Sequence, residues 1–305
     1  MLALTLQPGP LLIARHPAPG SVPPLPGPGW NAPITSLSRT PEAWTLVCPA
    51  SDAATLRGAG WTIASDSGGE ARLWHSLRVD GTLPFDATGV LASISAPLAQ
   101  AGVSIYAVST FDTDDVLVQS RDVGKALVAL EKSGMRVGVH PALRERVSIR
   151  EACFPRDREV VAELMREYAG GLGFSLDYQG FEAELAALPG KYADPDGVVL
   201  LAEVDGLAAG CVALRRIPAG PADPVNVCEM KRMFVRPAFR GVRAGRRMGE
   251  ALLAAARARG YALMKLDSEE HFVAAVSLYR SLGFSDIPRY NDDPMQHTIW
   301  MACRL

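Results

Sequence analysis

Cysteine is scarce in this chain, and what there is lies scattered. Cys48, Cys153, Cys211, Cys228 and Cys303 form no CxxC and are odd in number. That excludes a disulfide framework and a zinc ribbon, and it predicts a reducing, cytoplasmic setting. The five histidines show no i, i+4 pair and no ligand cluster, so no metal is expected. No apolar run approaches the roughly 18 residues of a membrane span. The opening MLALTLQPGPLLIARHP lacks a basic n-region and is broken by prolines, so neither a signal peptide nor a membrane partner is expected. Charge of one sign is also missing: 31 Lys and Arg against 33 Asp and Glu give a net −2, which argues against a nucleic-acid partner. GxxxxGK[ST] and the dinucleotide fingerprint are absent, and no repeat of 20–50 residues appears.

What is present suits about two domains in 305 residues, 48% of them hydrophobic. Proline and glycine crowd the first 37 residues, but LTL, LLIA and WTLVCPA read as strands around a long proline-rich loop. From Leu73 to Val139 the pattern is β-α-β-β-α-β, a ferredoxin-like unit. Its first helix, TGVLASISAPLAQAG, is predicted to be capped by Thr88, with Val90, Leu91, Ile94 and Leu98 on one side, and Gly102 stops it. HPALRER, at 140–146, reads as a linker. From Val147 the texture changes. Two helices flank a glycine-rich break, and GVVLLAEVDGLAAGCVALRRI is a hairpin with Asp205-Gly206 at its turn. VCEMKRMFV is a strand, RGVRAGRRMGEALLAAARARG a loop entering a helix, and YALMKLD, AAVSLYRSLG and TIWMACRL complete the order.

Residues 228–260 carry nine Lys or Arg against two acids. That charge falls where a strand turns into a helix, whose first N–H groups lack partners and carry partial positive charge. Gly241 and Gly245 allow close backbone approach, so a phosphate is the natural guest, with a solvated basic helix face as the bland alternative.

VCEMKRMFVRPAFRGVRAGRRMGEALL, then YALMKLDS and AAVSLYRSLGF, resembles the GNAT acetyltransferase superfamily over roughly 147–305. The resemblance implies a mixed α+β and α/β chain, its second half a GNAT fold with a mixed central sheet flanked by helices. It implies acetyl-CoA as co-substrate, with the pyrophosphate on Arg240, Gly241, Val242, Arg243, Ala244 and Gly245. Arg243 stands where the family motif has glycine. An arginine there still offers its N–H from a right-handed backbone; only a need for φ > 0 would count against it. Glu229, eleven residues before Arg240, resembles the family's general base, with pairing to Lys231 or Arg232 as the alternative. The oxyanion donor would come from Met233, Phe234 or Val235. Tyr279 matches the family's acid for the departing thiolate, with a core aromatic as the alternative. Phe272 stands where the family often has Asn. The acceptor, a small amine, an amino-acid-like amine or a protein lysine, is not legible; Asp177, Tyr178, Gln179, Tyr290, Asn291 and Asp292 are candidates on its side.

GTLPFDATGVLASISAPLAQAGVSIYAVSTFDTDDVLV resembles an ACT domain, closest to tandem forms. Residues 73–139 match well, with 1–72 as a degenerate partner repeat. The resemblance implies an amino acid held by Thr88, Gly89 and Val90 and by Ser109, Thr110, Asp112 and Asp114, with Asp115 a further acid for its ammonium. A ligand-free structural or homodimerising module is the alternative. For the whole chain, a non-catalytic acyl-CoA and amino-acid sensor competes with the enzyme.

Overall fold

A computed structural model describes residues 2–17, 22–25, 32–66 and 68–305. Much of the expected proline-rich loop, at 18–21 and 26–31, lies outside the described residues. The chain divides into two compact units, Met1–Arg146 and Val147–Leu305. Among the described residues no helix is long and apolar enough to cross a membrane.

The first unit runs β1 (Ala3–Leu6), β2 (Leu11–His16), β3 (Ser36–Arg39), β4 (Trp44–Pro49), α1 (Ala53–Gly58), β5 (Thr62–Ile63), β6 (Trp74–Val79), α2 (Val90–Gln100), β7 (Ile105–Ser109), β8 (Asp114–Gln119), α3 (Val123–Lys132) and β9 (Arg136–Val139). A four-stranded set and a five-stranded set join in one nine-stranded sheet. In the first, β2 pairs with β4 and β5, and β3 with β4, all antiparallel, giving the order β5-β2-β4-β3. In the second, β8 lies between β6 and β7. The last strand does not close on β6 directly. β1 lies between them, antiparallel to β6 (Leu4↔Val79, Leu6↔Leu77) and parallel to β9 (Leu4↔Val137).

The chain's first strand therefore lies between strands of residues 73–139, and the division at 72/73 is corrected accordingly. A strand's faces alternate, and β1 follows that rule: Leu4 and Leu6 are buried, while Thr5 hydrogen-bonds Asp80 on the other face. A second correction concerns the α2 cap. Gly89 holds the N-cap position at φ 79, and Thr88 makes no capping bond. The chain must turn through left-handed backbone there, which glycine adopts without steric cost. Helix α2 buries Ile94 and Leu98, with Val90 and Leu91 partly covered. The stretch read as a linker forms a 3-10 turn, Pro141–Arg146, with Leu143 buried, and counts with the first unit.

The second unit runs β10 (Val147–Glu151), α4 (Arg158–Gly170), α5 (Phe181–Ala187), β11 (Val198–Val204), β12 (Leu207–Ile217), β13 (Val227–Val235), α6 (Ala244–Ala258), β14 (Leu263–Glu269), α7 (Val273–Ser281), β15 (Ser285–Asp286) and β16 (Thr298–Arg304). The sheet order is β10-β11-β12-β13-β14-β16-β15, antiparallel except for β13–β14. Asp205 and Gly206 both take φ > 0 at the β11–β12 turn, as the Asp-Gly pair predicts. Helix α6 turns Met248, Leu252 and Ala256 inward at helical spacing.

Because β1 is an interior strand, Leu6→Ala should destabilise the first unit by about 2–5 kcal/mol, the usual cost of a buried leucine truncation. Trp44, Trp61 and Trp74 are buried in that unit. Denaturant unfolding followed by tryptophan fluorescence should show an earlier transition, and an unchanged midpoint would place β1 outside the cooperative core.

Candidate functional site

Strands β13 and β14 pair only at Val227–Glu229 with Leu263–Lys265. Beyond that point they diverge and open a cleft of about 630 Å³. Met230–Val235 and Leu266–Glu269 form its two walls; the start of α6 and the face of α7 bearing Tyr279 line the same space. Tyr168, Phe174, Tyr178 and Gln179 border it from the α4–α5 side.

One wall carries a β-bulge. Cys211 faces Phe234 but Ala213 faces Lys231, so β13 has an extra residue between them. Arg232 absorbs it at φ 58. On β12, a Cβ at Gly210 would lie 2.2 Å from the Phe234 carbonyl oxygen, so only glycine fits beside the bulge.

The 15-residue helix α6 ends its N-terminus on the cleft. Gly241 takes φ 86 and Arg243, the N-cap, φ 66. The φ > 0 that would count against an arginine in this place is therefore present. The loop reverses sharply into α6, and the arginine accepts left-handed strain that the usual glycine avoids. Val242 and Ala244 are buried beneath the loop, and Gly245 packs close to Leu278 and Val235. Most of the basic run is already engaged. Lys231 pairs with Asp267, Arg232 with Glu184, Arg236 with Glu163 and Glu167, Arg246 with Glu250, and Arg259 with Glu151 and Asp194. Arg247 donates to the Val147 carbonyl. Among the described residues Arg240 and Arg243 have no ion pair; both are exposed and both line the cleft. Of the residues left without an ion pair, Arg240 and Arg243 stand at the helix N-terminus on the cleft, while Arg257 is in the last turn of α6.

Glu229 is not on the cleft wall, a correction to the sequence reading. It lies where β13 and β14 still pair, 1% exposed, with Oε2 2.6 Å from Arg215 of the adjoining strand. Its Oε1 accepts the Tyr290 hydroxyl at 2.8 Å, and Lys231 Nζ stands 3.9 Å away. With Tyr290, Asn291 and Asp292 it borders a second cavity beside Pro218–Pro224. Burial and the neighbouring Glu229 push the Tyr290 hydroxyl well above the ordinary tyrosine range.

Tyr279 does line the cleft, edge-on to Phe284 at 6.1 Å. Burial raises its hydroxyl, which keeps the proton on. Tyr168, beside it, is pushed up to about 12 by burial. Phe272 borders the cleft at the α7 N-cap. Of the acceptor-side candidates Tyr178 and Gln179 reach the cleft; Asp177 does not.

Three acidic side chains escaped the sequence reading. Asp267, Glu269 and Asp293 line the cleft, and Thr298 Oγ1 lies 2.9 Å from Glu269 Oε1 and 3.1 Å from Asp293 Oδ1. The Tyr178 hydroxyl donates to Asp293 at 3.1 Å. A signal was available: Lys265, Asp267 and Glu269 alternate along a strand, which places all three on one face.

In the first unit the residues proposed for an amino acid are partly brought together. The Leu83 N–H donates to the Asp112 carbonyl, so the approach to α2 adjoins the β7–β8 hairpin tip that carries Thr110. Asp115 is excluded as an ammonium partner: it is fully buried, 2.5 Å from the Ser76 hydroxyl and 3.2 Å from the Arg78 guanidinium.

The model of the acetyltransferase (GNAT) family matches residues 163–284, and that of the ACT domain matches 71–132. An uncharacterized N-acetyltransferase of Schizosaccharomyces pombe is 34% identical over 160 residues, covering 52% of this chain and 95% of that protein. The chain belongs to the GNAT acetyltransferase family. Its first unit carries an ACT domain. The human cytosolic arginine sensor for mTORC1 subunit 1 is 38% identical over 71 residues, 23% of this chain and 21% of that protein. An acetyltransferase structure from Streptococcus agalactiae overlays with a TM-score of 0.44 at 21% identity, covering 53% of this GNAT chain and 99% of that one.

Glu184 gives a pH signature. Burial works to raise its carboxyl, but hydrogen bonds from Arg232 and Lys191 outweigh it and hold the group at about 2. A depressed carboxyl stabilises the fold above its ordinary range, and that contribution is lost as pH falls towards about 2. The stability difference between wild type and Glu184→Gln, from denaturant midpoints, should shrink steadily from pH 5 to lower pH. A difference constant with pH would contradict the assignment.

Proposed function

We propose that this GNAT chain transfers the acetyl group of acetyl-CoA to a primary amine by direct attack. The observation that carries the reading is the cleft between the splayed strands, closed at one end by the N-terminus of α6 with Arg240 and Arg243 free of ion pairs. Helix N–H groups, a glycine at φ 86 and two unpaired guanidinium groups fit a pyrophosphate. The pantetheine arm then runs between β13 and β14. Beyond Glu229 β13 has no partner on its β14 side, and an N–H from Met233–Val235 on that edge suits an oxyanion.

The neutral amine forms a bond to the thioester carbon; the tetrahedral oxyanion collapses, the C–S bond breaks, and the thiolate takes a proton. We assign that proton to Tyr279, whose burial keeps it protonated. The amine proton goes to a carboxylate facing the cleft. We assign Glu269, which is 6% exposed and has no cationic partner among the described residues. Acidic groups at that end favour an amine that arrives as a cation, as a small molecule or a lysine side chain. One observation favours the non-catalytic sensor instead: Glu229, the family-like base, is tied to Arg215 and turned from the cleft.

Thiol release from acetyl-CoA against a panel of amines separates the two. Turnover with at least one amine supports the enzyme; acetyl-CoA binding without turnover supports the sensor. Gly245→Glu should abolish acetyl-CoA binding in calorimetry. Glu269→Gln should lower kcat by about 10²–10⁴-fold, the usual cost of losing a general base, with Glu229→Gln far milder. Tyr279→Phe should cost a similar factor, and wild-type kcat should show no alkaline limb below about pH 10, the ordinary tyrosine range.

The first unit, in the same reading, binds an amino acid and biases the transfer. The support is its ACT domain and the adjoining α2 approach and hairpin tip. Arginine is the first to try, since one relative is named an arginine sensor. Couplings of this kind run to about 5–150-fold in affinity, and they are reciprocal. Calorimetry with each amino acid, with and without CoA, should show one whose affinity CoA changes. Binding that CoA leaves unmoved would make the unit a binding module without allostery.

A further inference from the structure

Arg232 is unusual on three counts at once. It supplies the extra residue of the β13 bulge, it takes left-handed backbone at φ 58, and its guanidinium is buried. A bulky residue in that conformation is strained and persists only where its surroundings over-determine it. The surroundings are visible. Arg232 Nε and Nη2 donate to the two carboxylate oxygens of Glu184 on α5 at 2.9 and 3.2 Å. The guanidinium carbon lies 5.2 Å from the Phe181 ring centre and 6.0 Å from that of Tyr168. Glu184 is held in turn by the Tyr192 hydroxyl at 2.8 Å and Lys191 at 2.6 Å. None of these side chains belongs to the α6 N-terminus; Phe181 and Glu184 lie on α5, directly after the Phe174–Gln179 segment that borders the cleft.

We propose that Arg232 is a positioning residue, latched to Glu184 so that the β13 bulge presents its backbone N–H groups to the thioester carbonyl. The latch ties α5, and through it the adjoining Phe174–Gln179 border of the cleft, to the geometry of the β13 wall, so the acceptor side and the oxyanion donors move as one piece. A two-point guanidinium–carboxylate contact fixes orientation as well as distance, which a lysine does not. This rests on the acetyl-CoA reading above.

The test uses full-length protein and acetyl-CoA labelled with ¹³C at the carbonyl. Bound to wild type, the carbonyl stretch should fall below its value in free acetyl-CoA. Arg232→Gly leaves φ > 0 accessible and removes the latch; Glu184→Gln keeps the shape and weakens it. Both should return the stretch towards the free value. Both should also lower kcat by about 10- to 100-fold, the scale of a 1 Å misplacement, with acetyl-CoA affinity within about twofold. Arg232→Lys should recover part of each loss, and the double variant should be no worse than Arg232→Gly. A folded variant with wild-type carbonyl stretch and kcat overturns the proposal, as does a loss confined to thermal stability. Absence of acetyl-CoA binding by wild type would instead overturn the reading it rests on.

Discussion

Beyond Glu229 and Lys265, two neighbouring parallel strands stop exchanging hydrogen bonds, and the chemistry of the second unit depends on that parting. A sheet interior normally pairs every N–H and C=O with the next strand. Here the edges of β13 and β14 that would have paired are turned to a cleft. The separation creates the volume proposed for an extended thioester arm and leaves a strand edge unpaired along its wall. The bulge at Arg232 and the glycine at 210 re-aim that wall. Helix α6 begins at its end and α7 closes its side. Glu229, placed before the parting, is removed from the cleft by the same geometry.

Charge in this unit is distributed by burial rather than by sequence neighbourhood. The basic run at 228–260 looks like a single phosphate-attracting patch, yet Lys231, Arg232 and Arg236 are turned into the fold and paired with acids from β14, α5 and α4. Burying a guanidinium or ammonium unpaired is costly, so each interior one has a carboxylate within reach. Arg240 and Arg243, among those that escape this requirement, stand at the exposed N-terminus of α6. A local excess of charge thereby becomes two directed cations beside a helix dipole.

In the first unit the comparable constraint is sheet closure. A β-α-β-β-α-β repeat brings its last strand back beside its first, but β9 meets β1 instead of β6. The chain's opening strand is thereby locked between segments more than seventy residues later. The two sets of strands share one sheet where β2 meets β6, with Leu11 opposite Trp74 as the junction pair.

Local periodicity and turn chemistry determined a good deal. The alternation in LTL and LWHSLRV, the Asp205-Gly206 turn, the helical spacing through Met248 and Leu252, and the strand-to-helix passage at Arg240–Gly245 were all readable, because each depends on residues a few positions apart. The cleft position of Tyr279 followed from a local resemblance in the same way. What the sequence could not decide depends on contacts across long separations. Residues 3–6 alternate as any half-buried strand does, so nothing in them says which repeat they join. Glu229 has the spacing of a base, but its direction is set by Arg215 and Tyr290, fourteen and sixty-one residues away. Arg243 was legible as a departure from glycine, but not as left-handed, since φ there is imposed by how the loop must enter α6. Arg232 and Glu184, forty-eight apart, meet only when α5 packs on the bulge. Pattern determines which elements form; which side chains confront one another is decided by tertiary packing, because burial and pairing of charge are properties of the assembled interior.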